Sequence, residues 1–128
     1  MTESRHKIAF IVPTRNRFEL PTQLLDSLQI QSIQADQVVV SDGSYEPIEP
    51  NIRGFLSPNI ECMRAFPPGL TKQRNAGIRA LGADITLAGF LDDDMVFGND
   101  AIESMLRFWE HCEDAEGTWI RALCKRKQ

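Results

Sequence analysis

The sequence predicts an α/β domain built on a mostly parallel sheet flanked by helices, and three observations predict it. Short apolar runs (Ile8–Val12, Val38–Val40, Ile85–Leu91) alternate with segments whose apolar residues recur at helical spacing. Each run stops at polar or charged residues, first Pro13–Arg17, then Asp42–Ser44, then Asp92–Asp94. The 128 residues, 42% of them hydrophobic, suffice to bury a single core, so residues 1–128 are read as one domain.

Ile8–Val12 (I-A-F-I-V), bounded by a basic cluster and Pro13, is the first buried strand, and P-T-R-N-R after it is a strand-to-helix loop. Leu20, Leu24, Leu25 and Leu28 predict a helix from about Phe18 that lays one leucine stripe on the sheet, with Pro21 tolerated in its first turn. Q-V-V-V-S-D-G-S, residues 37–44, is a second β-branched strand ending at Asp42, where Gly43 allows a tight turn. Prolines 47, 50, 58, 67 and 68 interrupt the segment from Tyr45 to Pro68, leaving one short helix near Ile52 and one short strand over Ile60–Arg64. Residues 69–81 predict a helix capped by Thr71, with Ala76 and Gly77 allowing close backbone approach. Its first turn carries Lys72 and Arg74 against the helix dipole, which a docked phosphate would relieve; extension of both side chains into water is the alternative.

Ile85–Leu91 is too short for a typical helix or a membrane span and predicts a strand buried on both faces. The carboxylates of Asp92, Asp93 and Asp94 then sit at its C-terminal end, where they repel one another unless a cation or a hydrogen-bond network offsets them. Mg²⁺ or Mn²⁺ needs only one or two protein carboxylates, the rest of its shell being water and substrate phosphate, so Asp-x-Asp suffices. A solvated acidic loop is the alternative. Residues one apart point to opposite sides of a regular strand, so Asp92 and Asp94 need a turn beginning at Asp92 to face one side. Asn99 is a candidate cap for a helix with Ile102, Met105, Leu106 and Trp109 on its core face, and residues 117–123 predict one more strand.

Fourteen basic residues against eighteen acidic ones, a formal charge of −4, argue against a nucleic-acid-binding surface. Cys62, Cys112 and Cys124 are odd in number and far apart, with no C-x-x-C pair and no histidine spacing that suggests zinc, and read as reduced, buried thiols. The N-terminus lacks the length and cleavage site of a signal peptide and no run is long enough to cross a membrane, so a cytoplasmic address is expected. His6 and His111 receive no role.

A doubly wound sheet brings the loops after its first strand and its reversal strand together, so these polar groups converge on one ligand. Carboxylates for a metal, a basic helix start for phosphates and a separate Asp for a base or ribose describe a nucleotide diphosphate site. Through I-V-P-T-R-N-R, V-V-V-S-D-G-S, G-L-T-K-Q-R-N-A-G-I and F-L-D-D-D, in that order, the chain resembles the nucleotide-sugar-binding N-terminal half of a family 2 glycosyltransferase. That resemblance implies a Rossmann-like GT-A fold, truncated here, and a UDP-, GDP- or dTDP-linked sugar donor with Mn²⁺ or Mg²⁺. It also implies a carbohydrate or lipid-linked acceptor. Pro13, Thr14 and Asn16 would line the nucleotide pocket and Asp42 would bond the base. Lys72, Arg74 and Asn75 would lie near the diphosphate or sugar. Asp92 and Asp94 would be the D-x-D pair, Asp94 binding metal directly, Asp92 meeting the ribose or a metal-bound water, and Asp93 lying in the same site with a smaller effect.

The family's step is usually inverting, a carboxylate base freeing an acceptor hydroxyl to attack the anomeric carbon. That base is unassigned and expected beyond Gln128, because Glu110, Glu113 and Glu116 read as exposed charges on or after a helix. Two readings compete: the donor-binding part of a glycosyltransferase, or a non-catalytic nucleotide-sugar-binding module complete as it stands. A missing half also implies an exposed apolar patch and self-association. A phosphotransfer receiver domain is a weaker third, since it needs an acidic pair after the first strand, where P-T-R-N-R stands.

Overall fold

The first apolar run becomes β1 (Ile8–Thr14), an interior strand of a four-stranded parallel sheet. The computed structural model describes residues 6–111 and the backbone of residues 124–126. β2 (Gln37–Asp42), β3 (Ile60–Arg64) and β4 (Leu87–Phe90) complete the sheet in the order β3-β2-β1-β4. β1 and β2 hold the interior because Ile8–Val12 and Val38–Val40 are apolar on both faces, which only a strand covered on both sides can bury.

Helices supply those covers. On one face Phe10, Val12, Val38 and Val40 pack with Leu24, Leu25 and Leu28 of α1 (Glu19–Gln29), with Ile52 of α2 (Glu49–Ile52), and with Ile102 and Met105 of α4 (Ala101–His111). On the other, α3 (Leu70–Arg79) lies over β1 and β2. Gly77 makes that approach possible, since a Cβ there would stand 2.4 Å from Ile11 Cγ2. The chain therefore steps outward from β1 to β3, and α3 returns it to the far side of β1. The strand order reverses between β1 and β4, which is where open α/β sheets bind ligands.

Three local expectations change. The strand predicted over Ile85–Leu91 and buried on both faces is β4, four residues long and at the edge of the sheet among the described residues. Among the described residues it pairs only with β1, and α3 covers β1 and β2, so Phe90 stays 43% exposed, and Leu70 and Ile78 of α3 are exposed too. The cap of α3 is Gly69, with Thr71 inside the first turn. Gln73, one turn on, takes the Gly69 N–H on Oε1 at 3.2 Å and gives its own N–H to Gly69 O at 2.8 Å, which fixes the start of the helix without Thr71.

The start of α4 is held by Gln31 rather than Asn99, the Ile102 N–H donating to Gln31 Oε1 at 3.1 Å. Ser27 Oγ accepts the Phe97 N–H at 3.0 Å, tying β5 (Met95–Phe97) to α1. β5 pairs antiparallel with β6 (Cys124–Arg126). The strand expected over residues 117–123 lies outside the described residues, as do Glu113 and Glu116. Burial, with the charges of Asp42 and Glu49 nearby, pushes the Cys62 thiol up to about 12, so it stays protonated and unreactive. Among the described residues no helix is long and apolar enough to cross a membrane.

Candidate functional site

All four strands run the same way, so the loops after them gather at one edge of the sheet. Thr14 and Asp42 are register partners there, as are Asp42 and Arg64. A cleft of about 410 Å³ opens between the loop after β1, the start of α3 and the turn after β4. Pro13, Thr14, Arg15 and Arg17 line one side, Gly69, Leu70 and Gln73 another, and Asp92, Asp93 and Asp94 a third.

The acidic turn starts where pairing to the sheet stops. Leu91 makes the last bond to β1, its N–H donating to Ile11 O at 2.9 Å, and a turn begins at Asp92, whose carbonyl accepts the Met95 N–H at 3.2 Å. That turn brings Asp92, Asp93 and Asp94 to one cleft, which a straight strand could not. Asp93 points inward: Thr14 Oγ1 donates to its Oδ2 at 2.9 Å and Arg17 Nη2 lies 3.6 Å from Oδ1. Burial pushes the Asp93 carboxyl above its ordinary value and the charges of Asp94 and Asp92 add to the rise, while Thr14 and Arg17 oppose it. Asp94 Oδ1 is buried and has no hydrogen-bond partner among the described residues. An orphaned carboxylate oxygen at the cleft suits a cation. No three His, Cys, Asp or Glu side chains among the described residues are grouped to hold a metal by themselves. The fit is therefore to an ion that takes one or two carboxylates and completes its shell with water and substrate oxygen.

Around the cleft the loops are fixed by buried polar side chains. Gln73 Nε2 donates to Thr14 O and to Ser41 O, both at 2.9 Å, and Ser41 Oγ donates to Gln73 O at 2.8 Å. Asn16 adopts a left-handed conformation, φ 59°, which asparagine tolerates better than most residues. Its N–H donates to Ser44 Oγ at 2.6 Å and its Oδ1 accepts the Tyr45 N–H at 2.9 Å. Asp42 is fully buried. Its Oδ1 accepts the Ser44 N–H, and its Oδ2 accepts the Ile48 N–H and Arg64 Nη1. Burial alone would raise the Asp42 carboxyl, but the hydrogen bonds from Ser44, Ile48 and Arg64 outweigh it and hold it below the ordinary 3.8.

This arrangement coincides with a family. The glycosyl transferase family 2 profile matches residues 9–123. The chain belongs to glycosyl transferase family 2. Among solved structures, S. aureus TarS 1–349 is 25% identical with a TM-score of 0.70, the match covering 84% of this chain and 33% of that one. Its complex with UDP is 26% identical with a TM-score of 0.68, over 84% and 33% of the two chains. The longer TarS structure is 25% identical at a TM-score of 0.66, and the match covers 84% of this chain and 20% of that one. The present chain thus spans a third or less of the TarS chains it matches. The sheet order and flanking helices are those of the Rossmann-like GT-A fold that TarS shares. No curated protein matches.

For this family 2 glycosyltransferase chain, the site residues read from the sequence divide into two groups. Pro13, Thr14, Asp92, Asp93 and Asp94 line the cleft. Asn16, Asp42, Lys72, Arg74 and Asn75 do not. Asn16 and Asp42 spend their side chains on the loops just described. Lys72 Nζ donates to Pro67 O at 3.0 Å, and the Arg74 guanidinium lies 5.2 Å from the centre of the Phe90 ring. Lys72 thus has a carbonyl partner and Arg74 an aromatic face, while the buried Arg74 Nε has no hydrogen-bond partner among the described residues. Arg15, expected with Thr14 and Asn16 at this edge of the sheet, lines the cleft, and so do Arg17 and Gln73, which the sequence reading did not single out. Gln73 had no readable signal, since a capping box needs Glu or Gln three residues after the cap, where Lys72 stands. Nor did Arg17, because loop direction decides which side chains of P-T-R-N-R face inward.

Proposed function

We propose that the cleft binds the nucleoside diphosphate of a sugar donor, and that the chain is the donor-binding part of an enzyme passing the sugar to an acceptor hydroxyl with inversion. The observation that carries the reading is the convergence of the acidic turn, two arginines and the first turn of α3 at the reversal point of the sheet. TarS, which shares this fold, has structures with UDP and with UDP-GlcNAc, and that supports a uridine donor here. Backbone N–H groups at the start of α3 and the guanidinium groups of Arg15 and Arg17 suit a diphosphate. Asp94, with Asp92, would hold Mn²⁺ or Mg²⁺. Such an ion offsets the charge of the departing diphosphate. Asp42 and Asn16 act on the nucleotide by shaping the pocket wall rather than by facing the cleft.

The experiment is a thermal-shift and calorimetric panel of UDP, GDP and dTDP with the 1–128 chain, with Mn²⁺ and with EDTA. A ligand present at a hundred times its Kd stabilises by about 2.7 kcal/mol, a clear shift in melting. UDP with Mn²⁺ is expected to stabilise the chain, and Asp94→Asn to remove the Mn²⁺ dependence. No stabilisation by any of the three nucleotides with metal would sink the reading.

Exposed Leu70 and Ile78 of α3 and Phe90 of β4, whose outer edge is unpaired among the described residues, carry a further part of the proposal. An open strand edge flanked by apolar side chains pairs readily with a second copy. Sedimentation velocity is expected to show concentration-dependent dimers that Phe90→Lys weakens; a monomer at every concentration would exclude it.

A further inference from the structure

Asp93 is only 7% exposed, its Oδ2 accepting from Thr14 Oγ1 at 2.9 Å while Oδ1 lies 3.6 Å from the largely exposed Arg17 guanidinium. That is a poor state for a direct ligand, which must keep lone pairs free for the ion. It is a good state for an anchor. Backbone bonding to β1 ends at Leu91, so beyond it the contact of Asp93 with Thr14, 79 residues away in sequence, ties the acidic turn back to the sheet. Thr14 is itself held firmly, its carbonyl accepting from Gln73 Nε2 at 2.9 Å and from the Gly43 N–H at 3.0 Å.

We infer that Asp93 is a positioning residue: latched to Thr14, it holds Asp92 and Asp94 at the cleft in the arrangement that a divalent cation and a diphosphate require. The inference rests on the donor-binding reading above. It reverses the smaller role that the order of the three carboxylates suggests for the middle one. Partners that orient metal ligands are worth about 10- to 100-fold in metal affinity, so the latch is measurable.

The quantity to measure is the gain in UDP affinity that Mn²⁺ confers, taken by calorimetry as the ratio of Kd in EDTA to Kd in Mn²⁺, with melting of each unliganded variant alongside. Thr14→Val removes the donor and Asp93→Ala the acceptor; each is expected to cut the gain by about tenfold, a ratio from which any change in metal-free UDP affinity divides out. Thr14→Ser keeps the donor and Asp93→Asn keeps an acceptor, and both are expected to retain most of the gain. Asp94→Asn is expected to abolish it. An unchanged gain in Thr14→Val overturns the inference, and so does an Asp93→Asn defect as deep as that of Asp94→Asn, which would make Asp93 a ligand. Should Thr14→Val not fold, the comparison of Asp93→Asn with Asp94→Asn still decides, because both changes are isosteric. Failure of the wild-type chain to bind UDP at all overturns the donor-binding reading instead.

Discussion

Asp42→Ala is expected to destabilise the unliganded chain by about 3 kcal/mol, the cost of leaving the partners of a buried charge without an acceptor. In a chain of this size that lowers the melting temperature by roughly 10 °C. The sequence alone suggests a different outcome, a carboxylate that binds a base and can be removed with little effect on folding. The geometry changes the expectation, because Ser44 N–H, Ile48 N–H and Arg64 all converge on a side chain that water does not reach. A pH series separates the two views. The Asp42 carboxyl is held below its ordinary 3.8, so the folded state favours the ionised form. Its contribution is fully present above the unfolded value of about 3.9 and is lost as pH falls through that value towards the lower native one. The stability advantage of wild type over Asp42→Asn, read from urea denaturation, should therefore be constant from pH 7 to 5 and shrink below pH 4. A pH-independent advantage, or a Tm within 2 °C of wild type for Asp42→Ala, would contradict this.

Gly77→Val is expected to abolish cooperative folding. A Cβ at this position meets Ile11 Cγ2 at 2.4 Å and Cγ1 at 3.0 Å, and Ile11 is wholly buried at the centre of β1. Neither α3 nor β1 can yield easily, since Gln73 ties the helix to the ends of both interior strands. Gly77→Ala adds only that first carbon; overpacking costs about 1 to 3 kcal/mol, against about 1 kcal/mol gained from alanine's helix propensity. A net loss is expected, smaller than for valine. Ile11→Ala removes the atoms the new methyl would meet, so a double-mutant cycle should show favourable coupling between Ile11→Ala and Gly77→Ala. Additive losses, or a folded Gly77→Val with wild-type melting, would mean that α3 is free to lift off the sheet.

How far the sequence could be read depends on which interactions are local. β-Branched and apolar runs announced β1 and β2, and the leucine spacing announced α1, because burial of a periodic face is set by residues close in sequence, whereas β3 lay in a proline-broken segment with no clear pattern. The end of each strand was equally legible, and with it the edge of the sheet where Thr14, Asp42 and Asp92–Asp94 fall. The buried face of α4 was read from Ile102, Met105 and Leu106 on the same grounds.

What the sequence by itself determined, then, is the α/β class, the family and the set of chemical groups at one edge of a parallel sheet. Only the tertiary structure decided which of those groups face the cleft. The fully buried Asp42 turned inward because loop N–H groups and Arg64, 22 residues away, needed an acceptor. Asp93 turned to Thr14 across 79 residues. Lys72 turned to Pro67 O and Arg74 to the Phe90 ring, contacts that their spacing in the helix does not express. The direction of a polar side chain is set by whichever partner the folded chain brings within about 3 Å, and such partners are not encoded by spacing along the sequence. An apolar residue needs only to leave water, a non-directional requirement that periodicity already expresses; a carboxylate needs particular donors at particular angles, and those exist only once the strands are assembled.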